Sequence, residues 1–164
     1  MAKKLVSFLT EIAELPPSDR AKMVDKLERE PEYAERVGDQ IILLLDRLDD
    51  LQKPVFMGRA FKAYCEAHID GAMLARINRV IHVLSLRDLL ELRDRYHQFE
   101  TRDGKQLRSI NWGTEPISTQ SYLNAGLAFI KTDVKWTQIR PFDDLCIAII
   151  KHILKMSVRV RERE

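Results

Sequence analysis

From Gly38 to Leu92 apolar residues recur at helical intervals in segments that only a few residues separate. Ile41, Leu44, Leu45 and Leu48 share one stripe, and Val55, Phe56, Phe61 and Tyr64 occupy the next segment. Leu74, Ile77, Val80, Ile81 and Leu84 follow, and then Leu86, Leu89, Leu90 and Leu92. Spacings of three and four residues put such positions on one side of a helix. Connections this short oblige consecutive helices to pack as neighbours. The run constrains the fold strongly and carries almost no chemistry.

The flanking segments extend the pattern. Leu5, Phe8, Leu9 and Ile12 predict a first helix, stopped by Pro16-Pro17. Ser18 is the expected N-cap of a second helix, with Met23, Val24 and Leu27 facing inward. Pro31 ends it, and Glu32 and Glu35 favour the start of a third helix over about residues 32–50, to which Val37 adds an apolar position. Pro54 fits the first turn of a fourth, and the turn His68-Ile69-Asp70-Gly71 separates it from a fifth. Ser85-Leu86-Arg87-Asp88 reads as a variant capping box that opens the sixth.

After Tyr96 the periodicity stops, and residues 97–117 are polar with Gly104, Gly113 and Pro116 among them. Beyond lie a short helix from Ser118 to Asn124, Gly126 as its C-terminal cap, and two β-rich stretches, Leu127–Lys131 and Val134–Arg140, joined at Thr132-Asp133. Pro141 precedes a last helix with Leu145, Ile149, Ile150, Ile153 and Leu154. The expected protein is mainly α: a compact helical bundle over 1–96, a connecting loop over 97–117, and a small helix–β-hairpin–helix module over 118–164 packed on the bundle.

At 164 residues and 45% hydrophobic, the chain suffices for one sizeable core with a small appended module. The net charge of +2 conceals a gradient. Residues 1–50 carry 8 basic and 12 acidic side chains, residues 51–100 carry 8 and 6, and residues 101–164 carry 11 and 7. A surplus of four in the last part is far below that of a dedicated nucleic-acid arm and reads first as solvated surface. Cys65 and Cys146 sit in apolar helical settings, as small buried hydrophobes of a reducing compartment. Met1-Ala2-Lys3-Lys4 opens no signal peptide, and no apolar run approaches the ~20 residues of a membrane span, so a cytoplasmic protein is expected.

Residues able to do chemistry do not assemble into a motif. Asp46 and Asp49 lie three apart with Asp50 beside them, which invites a magnesium or acid–base reading; with Arg47 among them and no further oxygen ligand identifiable, a solvated helix end is the better reading. His68, His82, His97 and His152 form no metal-binding pair, and no cysteine stands at a ligand spacing from any of them. His82, on a largely apolar helix, is expected to be half-buried. Gly104 and Gly113 are isolated, and Ser7, Ser18, Ser85 and Ser118 lie in helix or cap contexts without a nucleophile elbow. No catalytic, cofactor or metal site is expected. Trp136 can pack over the last helix; Trp112, between Asn111 and Gly113, reads first as packing against its own domain and second as an exposed anchor for a partner, with Tyr96 and His97 at the boundary between modules.

The order short helix, Leu123-x-Ala125-Gly126-Leu127 turn, hairpin and final helix resembles part of a winged-helix module. The resemblance makes Ser118–Asn124 the recognition helix, with Ser118, Gln120 and Asn124 toward base edges, and Lys131, Lys135 and Arg140 toward phosphates. That helix has no cation, and winged-helix shapes also serve in protein packing. Gly38, Leu43–Asp49, Lys53-Pro54, Phe61–Tyr64, Ile69-Asp70 and Asp88-Leu89 resemble a pattern of bacterial helical proteins from prophage and antiviral-defence neighbourhoods, over about residues 5–95. The resemblance implies a fold and a genomic setting but no catalytic residues. Relatives carry a Gly-rich hydrophobic segment ahead of the part matching Lys3–Phe8, so a truncated soluble form is an expectation here, with membrane attachment of the natural protein open. The function expected is non-enzymatic binding of a protein partner, the alternative a winged-helix DNA-binding regulator.

Overall fold

The computed structural model describes residues 1–29, 31–98, 118–132, 137–141 and 143–155. The protein is mainly helical: α1 (Ala2–Ala13), α2 (Pro17–Arg29), α3 (Pro31–Arg47), α4 (Lys53–Cys65), α5 (Gly71–Val83), α6 (Leu86–Gln98), α7 (Ser118–Asn124) and α8 (Asp143–Ala148). Two short strands, β1 (Ala128–Thr132) and β2 (Thr137–Pro141), lie between α7 and α8, and a π-helical turn over Ile149–Ile153 follows α8. The chain forms two compact units, Met1–Asn78 and Arg79–Glu164. The loop expected over 97–117 lies outside the described residues except for the end of α6.

In the first unit α1 packs on α4 at Gly58. A Cβ built there would stand 2.7 Å from the Phe8 carbonyl oxygen and 2.8 Å from the Glu11 Cβ, so only hydrogen lets the two helices approach this closely. Phe8, Phe56, Met57, Ala60 and Ala63 are buried around the contact, and the Phe8 and Phe61 rings lie 6.0 Å apart, tilted by 51°. Leu45 and Leu48 of the α3 end are buried as the stripe requires, whereas Val24 of α2, expected inside, is exposed.

Helix ends are closed by side chains. Arg20 Nη2 donates to the carbonyls of Ala13 (2.7 Å) and Leu15 (3.2 Å), and Lys4 Nζ to those of Asp46 (3.0 Å) and Leu48 (2.7 Å), supplying partners that the last turns of α1 and α3 lack. One capping expectation needs correction. Pro17, not Ser18, opens α2: the Pro16 carbonyl accepts from the amides of Asp19 and Arg20, and a proline loses nothing in the first turn. The chain leaves α4 at Ala67, whose φ of 58° is left-handed, with His68 N bonded to Ala63 O and Ala67 N to Tyr64 O. Glycine usually holds this place in such a C-terminal motif. Asp70 then caps α5, its Oδ1 accepting from Met73 N at 2.7 Å.

The second unit is built around Val80, Ile81, Leu84, Leu89, Leu92, Tyr122, Leu127, Leu145, Ile149, Ile150 and Ile153, all buried. Ser85 caps α6 through a 3.1 Å bond from Asp88 N to its Oγ. Tyr122 Oη of α7 donates to the Asp88 carbonyl at 2.9 Å. Gly126, at φ 76°, ends α7 with Leu127 N bonded to Tyr122 O and Gly126 N to Leu123 O. The strands pair antiparallel from Ala128↔Pro141 to Thr132↔Thr137, and residues 133–136 between them lie outside the description.

These contacts set opposite expectations for three small-residue positions. Gly58→Ala forces α1 and α4 apart and should cost about 1–3 kcal/mol. Gly38→Ala, within α3 and with nothing within 4 Å of the added methyl, should gain about 0.5–1 kcal/mol from helix propensity and reduced unfolded-state freedom. Ala67→Gly relieves a left-handed alanine and should gain up to about 1 kcal/mol. Urea denaturation of the three variants decides; an unchanged midpoint for Gly58→Ala contradicts the close approach.

Candidate functional site

The acidic group Asp46, Asp49 and Asp50 spans the end of α3, and two of its carboxylates have structural tasks. The Asp46 carbonyl accepts from Lys4 Nζ. Asp49 Oδ1 accepts from Lys53 Nζ, whose residue is only 1% exposed at the start of α4. Asp50 Oδ1 accepts from Gln52 N at 2.7 Å, turning the chain into α4. The carboxylates of Asp49 and Asp50 are therefore joined to a buried lysine and a backbone amide, respectively. Among the described residues no group of three or more His, Cys, Asp or Glu is arranged to hold a metal ion.

Two further ion pairs join α4 to the C-terminal part of α1, both from positions that follow Gly58. Arg59 Nε stands 3.3 Å from Glu11 Oε2, with its guanidinium 5.8 Å from the centre of the Phe56 ring, and Lys62 Nζ stands 3.3 Å from Glu14 Oε2. The Glu11–Arg59 pair is largely shielded from water, whereas the Glu14 side chain is 55% exposed. On α6 the Glu91 carboxylate accepts from Arg87 Nε at 2.8 Å, and this bond, followed by its charge, raises the Arg87 guanidinium above its ordinary value.

An open cleft of about 430 Å³ lies in the first unit where α4 turns toward α5. Met23, Tyr64, Cys65, His68, Ile69 and Asp70 contribute to its lining. Cys65 is half-buried rather than buried, and Cys146 is buried with Sγ 3.7 Å from the Leu127 carbonyl oxygen. Cys65 and His68, three residues apart, thus line one cleft, which corrects the expectation that no cysteine stands at a ligand spacing from a histidine. The cue was available, since three residues span about one helical turn; the left-handed Ala67 between them was not. His68 Nδ1 stands 3.2 Å from Glu66 Oε2, and Asp70 is occupied in capping α5. The cleft offers mixed polar and apolar walls.

The other expected residues fall as follows. Tyr96 and His97 lie on the last turns of α6 and Ser118 and Gln120 on α7, where only the backbone is described. Asn124 ends α7 and is exposed. Lys131 pairs with Gln138, and Arg140 with Phe129, across the two strands. Trp112, Lys135 and Trp136 lie outside the described residues. His82, expected half-buried, is exposed, because the inward stripe of α5 is Ile77, Val80, Ile81 and Leu84 and leaves position 82 on the outer side. No described helix is long and apolar enough to cross a membrane. Compared with known proteins, the chain matches no family model, no curated protein and no solved structure.

The Asp49–Lys53 pair makes a specific expectation. Asp49→Ala leaves a buried ammonium without this acceptor and should cost about 1–3 kcal/mol. Lys53→Met removes the charge while keeping the unbranched volume, and should fall within about 1.5 kcal/mol of the parent. Thermal unfolding of both variants checks the order, and a larger loss for Lys53→Met would show that the ammonium itself stabilises the fold.

Proposed function

We propose that this chain is a non-enzymatic protein-interaction module of phage–host conflict, binding its partner through an apolar facet centred on α3. The carrying observation is the exposure of Ile42 (53%), Leu43 (50%) and Leu51 (60%), beside Leu45 and Leu48, which are almost wholly buried. At 3.6 residues per turn Leu43 stands roughly 160° around α3 from Leu45, so it serves no core position of its own helix. Adjacent exposed apolar side chains on an otherwise charged helix favour a partner surface. The antiviral or prophage setting rests on the residue pattern over about 5–95. Tyr96, His97 and Trp112 are proposed as a second contact region, from their residue types alone.

The test compares the parent with Ile42→Asp/Leu43→Asp in affinity capture from cells challenged with phage. A protein partner retained by the parent and lost by the variant, with thermal stability unchanged, is the expected result. Nucleotide turnover or nucleic-acid cleavage abolished by a single substitution would overturn the reading in favour of an enzyme.

A second reading is a winged-helix-like DNA-binding regulator. It is favoured by the succession α7, β1, β2 and α8, and by a strand register in which positions 131 and 140 share one face of the ribbon. Ser118, Gln120 and Asn124 would face the bases, and Lys131, Lys135 and Arg140 the phosphates. Fluorescence polarisation with generic duplex DNA at two salt concentrations tests it. Binding that weakens with salt, and further with Lys131→Ala or Lys135→Ala, is expected, because each phosphate contact releases counterions. No binding at low salt removes this reading.

A further inference from the structure

One face of α1 is apolar, exposed and unused by the contact with α4. Ala2, Leu5, Val6, Leu9 and Ala13 fall within an arc of about 100° on a helix of 3.6 residues per turn, and all five are exposed. Val6 and Leu9 are 63% and 49% exposed. Phe8 and Glu11, on the other side, are buried against α4. The margin of the stripe adds no competing polar group at Thr10, because its Oγ1 donates back to the Val6 carbonyl at 2.9 Å and turns the hydroxyl onto the helix. The helix is therefore apolar on two sides, with only one of them covered within the first unit.

The charges on α1 specify what fits the second side. Lys3 lies in the N-terminal turn, and Glu14, whose carboxylate also stands 3.3 Å from Lys62 Nζ, lies just past the C-terminal end. Lys3, Thr10 and Glu14 run along one margin of the stripe, and Lys3 is exposed. We propose that this face binds a second copy of the chain, with the two α1 helices antiparallel about a two-fold axis near Ser7 and Phe8. Val6 then meets Leu9 of the second copy, and Ala2 meets Ala13, where small side chains let the helix ends close. Lys3 approaches Glu14 of the second copy, twice by symmetry. A parallel pair would instead set Lys3 against Lys3 and Glu14 against Glu14. The antiparallel order also opposes the helix dipoles favourably.

A pair of helices about 18 Å long covers less than the ~1,200 Å² that marks the lower edge of standard interfaces, so the association is concentration-dependent. This inference is independent of the α3 partner surface, and its test reads self-association alone. Sedimentation equilibrium of the full chain over about a hundredfold concentration range should show a reversible monomer–dimer equilibrium. Val6→Asp or Leu9→Asp should abolish it while thermal stability stays at the parent value. Lys3→Glu and Glu14→Lys should each weaken it by about two- to tenfold, and an equimolar mixture of the two should recover it. A parent that stays monomeric throughout overturns the proposal. So does a Val6→Asp variant with lowered thermal stability and unchanged association, which would mean that the stripe is covered from within the chain. Dimerisation that neither charge variant weakens overturns the antiparallel arrangement.

Discussion

The first unit depends on how closely α1 can approach α4. Gly58 sets that distance, because its missing Cβ leaves room for the Phe8 carbonyl and the Glu11 Cβ. Everything around it is a consequence of the short spacing. The Phe8 and Phe61 rings meet, Arg59 reaches Glu11, and Lys62 reaches Glu14, each from positions one turn or less from the glycine. A glycine inside a helix weakens that helix by roughly 0.5–1 kcal/mol relative to alanine, a cost that the packed interface offsets through the aromatic and aliphatic surface it buries. The contact is local in space yet joins residues some fifty positions apart, so it fixes the topology of the unit as well as its density.

Polar side chains complete this frame at its helix ends. Lys4 and Arg20 close helix ends, Asp50 and Asp70 begin the helices that follow them, and Asp49 accompanies a lysine that packing has removed from water. Such tasks suit short helices, since each has eight terminal backbone groups to satisfy and few turns over which to spread the cost. A chain built from many short helices consumes its polar residues in this way. The clustering of Asp46, Asp49 and Asp50, which looks chemical in one dimension, is the signature of a helix end followed at once by a helix start.

Periodicity made much of the helical pattern legible. The stripes of α3, α5 and α6 predicted Leu45, Leu48, Ile77, Val80, Ile81, Leu84, Leu89 and Leu92 as core, and all are buried. The same rule misjudged Val24, His82 and Leu90, all exposed, because an amphipathic pattern gives the direction of the inward face only to within a residue or so at its margins. Capping residues were readable where the side chain itself bonds, as at Ser85, and were misplaced where proline geometry took precedence, as at Pro17. Neither the role of Gly58 nor the left-handed Ala67 was visible, since each follows from what another helix or turn brings near. The pairing of Cys65 with His68 was open to a spacing rule, whereas the wall that Met23 adds to their cleft comes from a separate segment.

The distribution of apolar surface then bears on what the molecule does. Leu45, Ile77 and Ala60 are completely buried, so the interior accounts for its own apolar residues without recruiting Val6, Leu9, Ile42, Leu43 or Leu51. Exposed apolar residues are ordinary when scattered, but here α1 collects them on one side and α3 places two in succession. Covering them would lower the free energy of the chain by about 25 cal/mol for each Å² removed from water, without change to the interior. The physical gain still available lies at the surface, and the charges alongside it determine orientation: the basic start and acidic end of α1 discriminate between two ways of laying down a helix that hydrophobic contact alone would leave nearly equal.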